Sequence, residues 1–158
     1  MCIRDRYNPK LISKAYKLLG FKPCNEIKLD DPLRINNPDA PHLKHYLTAN
    51  TVRKSVDVAL IIRARGPYRG GSFFRMVEKK LLILEGSGRT KVPKLSDGQI
   101  QYLNFSDIIN LYKNIGRNTG YNIHQEETTA EHFEHIVNAQ SGIAHPDLVS
   151  GLRKILFH

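Results

Sequence analysis

Between Pro9 and Gly20 the apolar residues Leu11, Ile12, Ala15, Leu18 and Leu19 recur three and four positions apart, with Lys10, Lys14 and Lys17 opposite. That spacing predicts a short amphipathic helix closed by Gly20. Residues 21–41 hold four prolines, the turn signal Asn36-Asn37-Pro38 and the acidic pair Asp30-Asp31, and keep no sustained period, so they read as an ordered loop or a linker. Thr51 can cap a helix running to about Arg65, in which Val52, Val56, Ala59, Leu60 and Arg63 share a face. The same stretch also alternates at Val56, Val58, Leu60 and Ile62 and is rich in β-branched residues, which leaves a strand as the alternative.

The run Gly66-Pro67-Tyr68-Arg69-Gly70-Gly71 reads as a loop, after which Ser72 can cap a helix over residues 73–85. On a wheel Phe73, Phe74, Met76, Val77, Leu81, Ile83 and Leu84 gather on one side, whereas strand alternation would mix Lys79 with Val77 and Leu81. Ser106 is placed to cap a helix through Ile108, Leu111, Tyr112 and Ile115. Thr128 and Glu131 have capping-box spacing for a helix to about Asn138, and a last helix covers about 146–157. The sum predicts a mainly α protein, a single helical bundle of five or six helices, with an α+β fold carrying a short sheet from residues 56–84 as the alternative. Residues 7–41 form an N-terminal helix and Pro-rich loop, and residues 42–158 the helical domain.

A chain of 158 residues that is 41% hydrophobic can bury one core. Its longest apolar runs, 58–62 and 81–84, fall far short of the roughly 20 residues that cross a bilayer. A soluble protein with no membrane partner is expected. Cys2 and Cys24 have no paired spacing, so neither a disulfide framework nor a cysteine zinc site is expected, and a reducing, cytoplasmic setting fits. The first six residues, Met1-Cys2-Ile3-Arg4-Asp5-Arg6, resemble translated sequencing-adapter and are read as non-native.

Charge changes the picture. Residues 44–94 hold twelve Lys/Arg against Asp57, Glu78 and Glu85, which equals the whole net charge of +9. A polyanionic partner is expected, because phosphate neutralisation releases counterions whatever the base sequence. Within that segment Arg63, Arg65, Tyr68, Arg69 and Arg75 surround a Gly/Pro-rich loop. Arginine offers paired phosphate contacts and tyrosine a stacking face for an unpaired base, so RNA is favoured over DNA.

The stretch 133–146 ends in Ile143-Ala144-His145-Pro146 and resembles the signature region of HEPN domains. A second partial match, Arg117-Asn118-Thr119-Gly120-Tyr121-Asn122-Ile123-His124, has an Arg, a polar neighbour and a His at that family's spacing. The resemblance covers the C-terminal half and implies a helical bundle, metal-independent RNA cleavage in a defence or toxin system, and homodimerisation. His145, Arg117 and His124 would be its catalytic residues. Histidine would move the proton of a ribose 2′-hydroxyl and arginine would clamp the phosphate. Gln140 stands where the family's Arg would precede His145. No cofactor is expected on this reading, and an inactive relative would remain a binding module.

Two further readings come from the same residues. Asp57, Glu78 and Lys80 could form the acid, acid-x-Lys set of a PD-(D/E)xK restriction-type DNA endonuclease, with Mg²⁺ held by the carboxylates and lysine activating water. That chemistry needs the pair on a strand. The alternative is a non-catalytic domain whose basic face meets an acidic protein.

Overall fold

The computed structural model describes residues 8–37, 41–67 and 69–157. Its centre is an antiparallel sheet rather than a helical bundle. Nine strands are described: β1 (Lys22–Pro23), β2 (Arg34–Ile35), β3 (His45–Asn50), β4 (Ser55–Ala64), β5 (Val77–Glu85), β6 (Val92–Pro93), β7 (Leu95–Ser96), β8 (Gln99–Ile100) and β9 (Tyr102–Leu103). The main sheet runs β1-β3-β4-β5-β6, with β2 also on β4 and β9 also on β5, while β7 and β8 form a small separate hairpin. The helices are α1 (Pro9–Leu18), α2 (Phe73–Met76), α3 (Leu111–Ile115), α4 (Gln125–Val137) and α5 (Pro146–Phe157). Among the described residues no helix is long and apolar enough to cross a membrane.

The helix predicted over 51–65 is corrected to strand β4, and of the helix predicted over 73–85 only the first turn, α2 after Ser72, is helical, the rest being strand β5. The physical reason is burial on both faces. Val58, Ala59, Leu60, Ile61 and Ile62 are all buried, so this central strand reads as a continuous apolar run that a helical wheel also accommodates. Opposed residues lie on one face: Val58 with Ile83, Leu60 with Leu81 and Ile62 with Lys79 on the first, Ala59 with Leu82, Ile61 with Lys80 and Arg63 with Glu78 on the second. Lys79 does share a face with Val77 and Leu81. Its ammonium lies 5.2 Å from the centre of the Phe105 ring and donates to the Gly120 carbonyl at 2.7 Å, which removes the objection to a strand.

Each face carries its own core. Leu47, Val58, Leu60 and Leu81 meet Ile12, Ala15 and Leu19 of the N-terminal segment, Leu111 and Ile115 of α3, and Leu148 and Leu152 of α5. On the other face Ala59, Ile61, Leu82 and Leu84 are covered by Cys24, Ile27 and Leu43. The described part of the Pro-rich segment thus covers the sheet, anchored by Asp31. Cys24 is buried and free.

Helix α5 stands where the sequence places it, while α3 and α4 start at other residues than expected. Helix α4 begins three residues before Thr128, with His124 as N-cap, its Nδ1 accepting from the Glu126 N–H at 3.4 Å. Thr128 lies inside the helix and donates to the His124 carbonyl. Ser106 falls in a short 3-10 turn, whose cap is the reciprocal Asn104/Asp107 pair, and α3 is five residues long.

Candidate nucleic-acid interface

The basic residues of 44–94 do not form one contiguous face. Strand β4 is ten residues long, roughly 30 Å, and it separates Arg53 and Lys54 at one end from Arg65, Arg69 and Arg75 at the other. Three more are tied to acids. Lys91 pairs with Asp57 at 2.7 Å, Lys80 with Glu78 at 3.4 Å, and Arg63 with Asp31 at 2.6 Å and Glu78 at 3.6 Å. Arg63, read from the sequence as a nucleic-acid contact, is therefore part of the fold. Its guanidinium also lies 4.5 Å from the Tyr102 ring centre.

What remains is a compact group at the loop end of the β4–β5 hairpin. Arg65 follows β4, its N–H bonded to the Met76 carbonyl at 2.8 Å and its Nε donating to the Val77 carbonyl at 3.1 Å. Helix α2 then presents Phe73, 49% exposed. Across from them the segment 119–123 runs past the start of β5. Thr119 shapes it, donating from Oγ1 to Glu131 Oε2 at 2.9 Å and accepting from the Tyr121 N–H at 2.8 Å. Tyr121 is 36% exposed.

These walls enclose a cleft of about 340 Å³ lined by Ile62, Arg65, Phe73, Val77, Glu78, Lys79 and Tyr121. Burial holds the Lys79 ammonium below its ordinary pKa. Burial, then Glu127 and Glu131, push the Tyr121 hydroxyl up. A Lys whose charged form is partly stripped of water binds an incoming anion more strongly than a fully solvated one. Glu78, the carboxylate nearest in sequence to Lys79, is engaged by Arg63 and Lys80. The cleft thus combines two cations, two partly exposed rings, an apolar floor and one carboxylate, Glu78, that is paired outside it with Arg63 and Lys80.

Arg69 and Arg75 are exposed near this cleft in sequence, while Tyr68 lies outside the described residues. Phe73, Lys79 and Tyr121 were not singled out from the sequence. Phe73 had a place on an apolar helical stripe, and only pairing of β5 with β4 separates it from the core.

His124 is buried, faces the His42 carbonyl, His45 and Arg34, and is held down to about 4, first by burial. Arg117 instead stacks 4.8 Å from the centre of the Tyr112 ring. The spacing that suggested an Arg117/His124 pair does not assemble one. Asn118 reaches His145, accepting from its N–H at 2.6 Å and donating to its carbonyl at 2.9 Å. The Asn118 carbonyl accepts from His135 Nε2 at 3.0 Å, and the Gln140 side chain lies on the other nitrogen of that ring.

Strand β5 does supply the backbone form that the acid-x-Lys reading needs, with Glu78 and Lys80 on one face. Asp57, however, is opposite Leu84 while Glu78 is opposite Arg63. Six residues along a strand put the two carboxylates about 20 Å apart. Asp57 is fully engaged by Thr48 and Lys91, and the acid that does approach Glu78, Asp31, has the Arg63 guanidinium between. These residues do not fit a shared Mg²⁺, and among the described residues no group of three or more His, Cys, Asp or Glu is arranged to hold a metal ion. Comparison with family models, with curated proteins and with solved structures returns no match for this chain.

Proposed function

We propose that this protein binds single-stranded RNA, taking an unpaired nucleotide into the cleft between Arg65, Lys79, Phe73 and Tyr121. One observation carries the reading: two cations and two partly exposed aromatic rings border the same 340 Å³ cleft. That volume lies within the roughly 300–1,000 Å³ usual for small-ligand pockets. An unpaired base has a π-face for Phe73 or Tyr121 whatever its identity, and its phosphate is an acceptor for Arg65 and Lys79. Arg69 and Arg75 extend the cationic border to neighbouring phosphates.

The proposal is for binding, with no chemical step. A labelled oligouridylate titrated with the full chain at several salt concentrations tests it. Binding is expected to weaken steeply with salt, and Arg65→Ala or Lys79→Ala is expected to flatten the log–log slope by about one phosphate contact each. Salt-independent binding, or slopes unchanged in both variants, refutes the reading.

A further inference from the structure

The opposite end of the β4–β5 hairpin carries a second surface, with different chemistry. The turn between β3 and β4 is locked by Thr51, whose Oγ1 donates to the Lys54 carbonyl at 2.9 Å and accepts from the N–H groups of Arg53 and Lys54 at 3.2 and 3.1 Å. This turn holds Val52 outward, 88% exposed. Facing it, Ile109 is 69% exposed although its N–H is fixed to the Asn50 carbonyl at 2.8 Å. Between them lies a cleft of about 470 Å³ floored by Val56, Ile83 and Leu103.

Two large aliphatic side chains held in water by an ordered backbone, over an apolar floor, mark an interaction surface rather than scattered surface hydrophobes. The charge around them is positive by one, once Asp57 is paired with Lys91. Arg53 and Lys54 stand on the rim, and an adjoining depression of about 290 Å³ shares Lys54, Val56 and Ile83 and adds Lys94. Of the acids nearby, Asp57 is paired with Lys91, while Asp107, which also caps the Asn104 N–H at 2.7 Å, and Glu85 stand against the three cations. An apolar floor gives little to a phosphodiester chain and much to an aliphatic or aromatic side chain.

We propose that this cleft docks an acidic peptide segment of a partner protein. An apolar anchor residue would lie on Val56, Ile83 and Leu103 between Val52 and Ile109, with flanking carboxylates on Arg53, Lys54 and Lys94. The proposal is independent of RNA binding at the other end of the hairpin.

The test uses the full chain and two fluorescein-labelled peptides, one with Leu-Phe between paired glutamates and one with Ser-Ser replacing Leu-Phe. Saturable anisotropy is expected with the first peptide, and binding about tenfold or more weaker with the second. Val52→Glu and Ile109→Glu are each expected to weaken the first peptide by about tenfold or more, as loss of a buried interface anchor does. Both side chains project into solvent, so unchanged circular dichroism and unchanged oligouridylate affinity are expected alongside. No saturation at millimolar peptide, equal binding of both peptides, or displacement of the peptide by oligouridylate overturns the proposal. A dimer in sedimentation that either substitution dissociates overturns it too, by assigning the cleft to a second copy of the chain.

Discussion

Asp31 and Arg63 are joined by a 2.6 Å hydrogen bond from Nε to Oδ2, with the Asp31 side chain only 5% exposed. The same carboxylate accepts from the Tyr102 hydroxyl at 2.6 Å and from the Leu33 N–H at 3.0 Å. Burial alone would raise the Asp31 carboxyl, but these hydrogen bonds outweigh it and hold the group below its ordinary range. One side chain thereby fastens the Pro-rich cover to β4 and β9.

Asp31→Ala removes that fastening, leaves the Tyr102 phenol without its acceptor and leaves the Arg63 guanidinium only the more distant Glu78, at 3.6 Å. Breaking a buried pair from one side is expected to destabilise the fold by about 3 kcal/mol. Urea unfolding measures it. Asp31→Ala in an Arg63→Met background is expected to cost markedly less, since the cation is gone.

Acid is expected to unfold the protein in a window set by buried histidine. His124 sits at about 4 in the folded chain against 6.5 for the free group, so the unfolded chain binds the extra proton between those values. The His124 contribution is full above about pH 6.5, falls as the pH drops toward 4, and levels off below it; this one linkage is worth roughly 3 kcal/mol at most, and His45, also held down to about 4 by burial, adds its own over the same window. Denaturant midpoints across this range give the slope. His124→Asn, which keeps an N-cap acceptor and removes the titration, is expected to flatten it.

Gly86 has φ +100°, and a Cβ built there would lie 2.4 Å from the Thr90 carbonyl oxygen. Because the obstacle is backbone, Gly86→Ala must shift the turn after β5 that delivers Lys91 to Asp57. A loss of about 2 kcal/mol or more in thermal or urea unfolding is expected. Gly70→Ala, with a similar positive φ but nothing within 4 Å, is expected to cost less.

At the proposed RNA cleft the rings and the cations are expected to separate by salt. Phe73→Ala and Tyr121→Ala each remove a stacking face, about 1–3 kcal/mol per base, with the salt slope retained. Arg65→Ala lowers the slope itself. Anisotropy titrations of the three variants at low and high salt distinguish the two patterns.

Local sequence sufficed for α1 and α5, because their apolar residues repeat at helical spacing and one face of each is buried, and the Thr128/Glu131 spacing marked the body of α4, whose buried residues are polar. It also marked Arg65, Arg69 and Arg75 as a basic group beside a Gly/Pro-rich loop. It failed for β4 and β5, where burial on both faces erases alternation, and where Lys79 on an apolar face makes sense only beside Phe105 and Gly120, residues far along the chain. Pairing partners were equally hidden: which of twelve basic side chains would meet Asp31, Asp57 or Glu78 depends on strand register. Charge sign and helix-forming periods are properties of short segments and were set by the sequence directly. The tertiary structure alone determined which cations stay free, because ion pairing requires distances that pairing across the sheet creates.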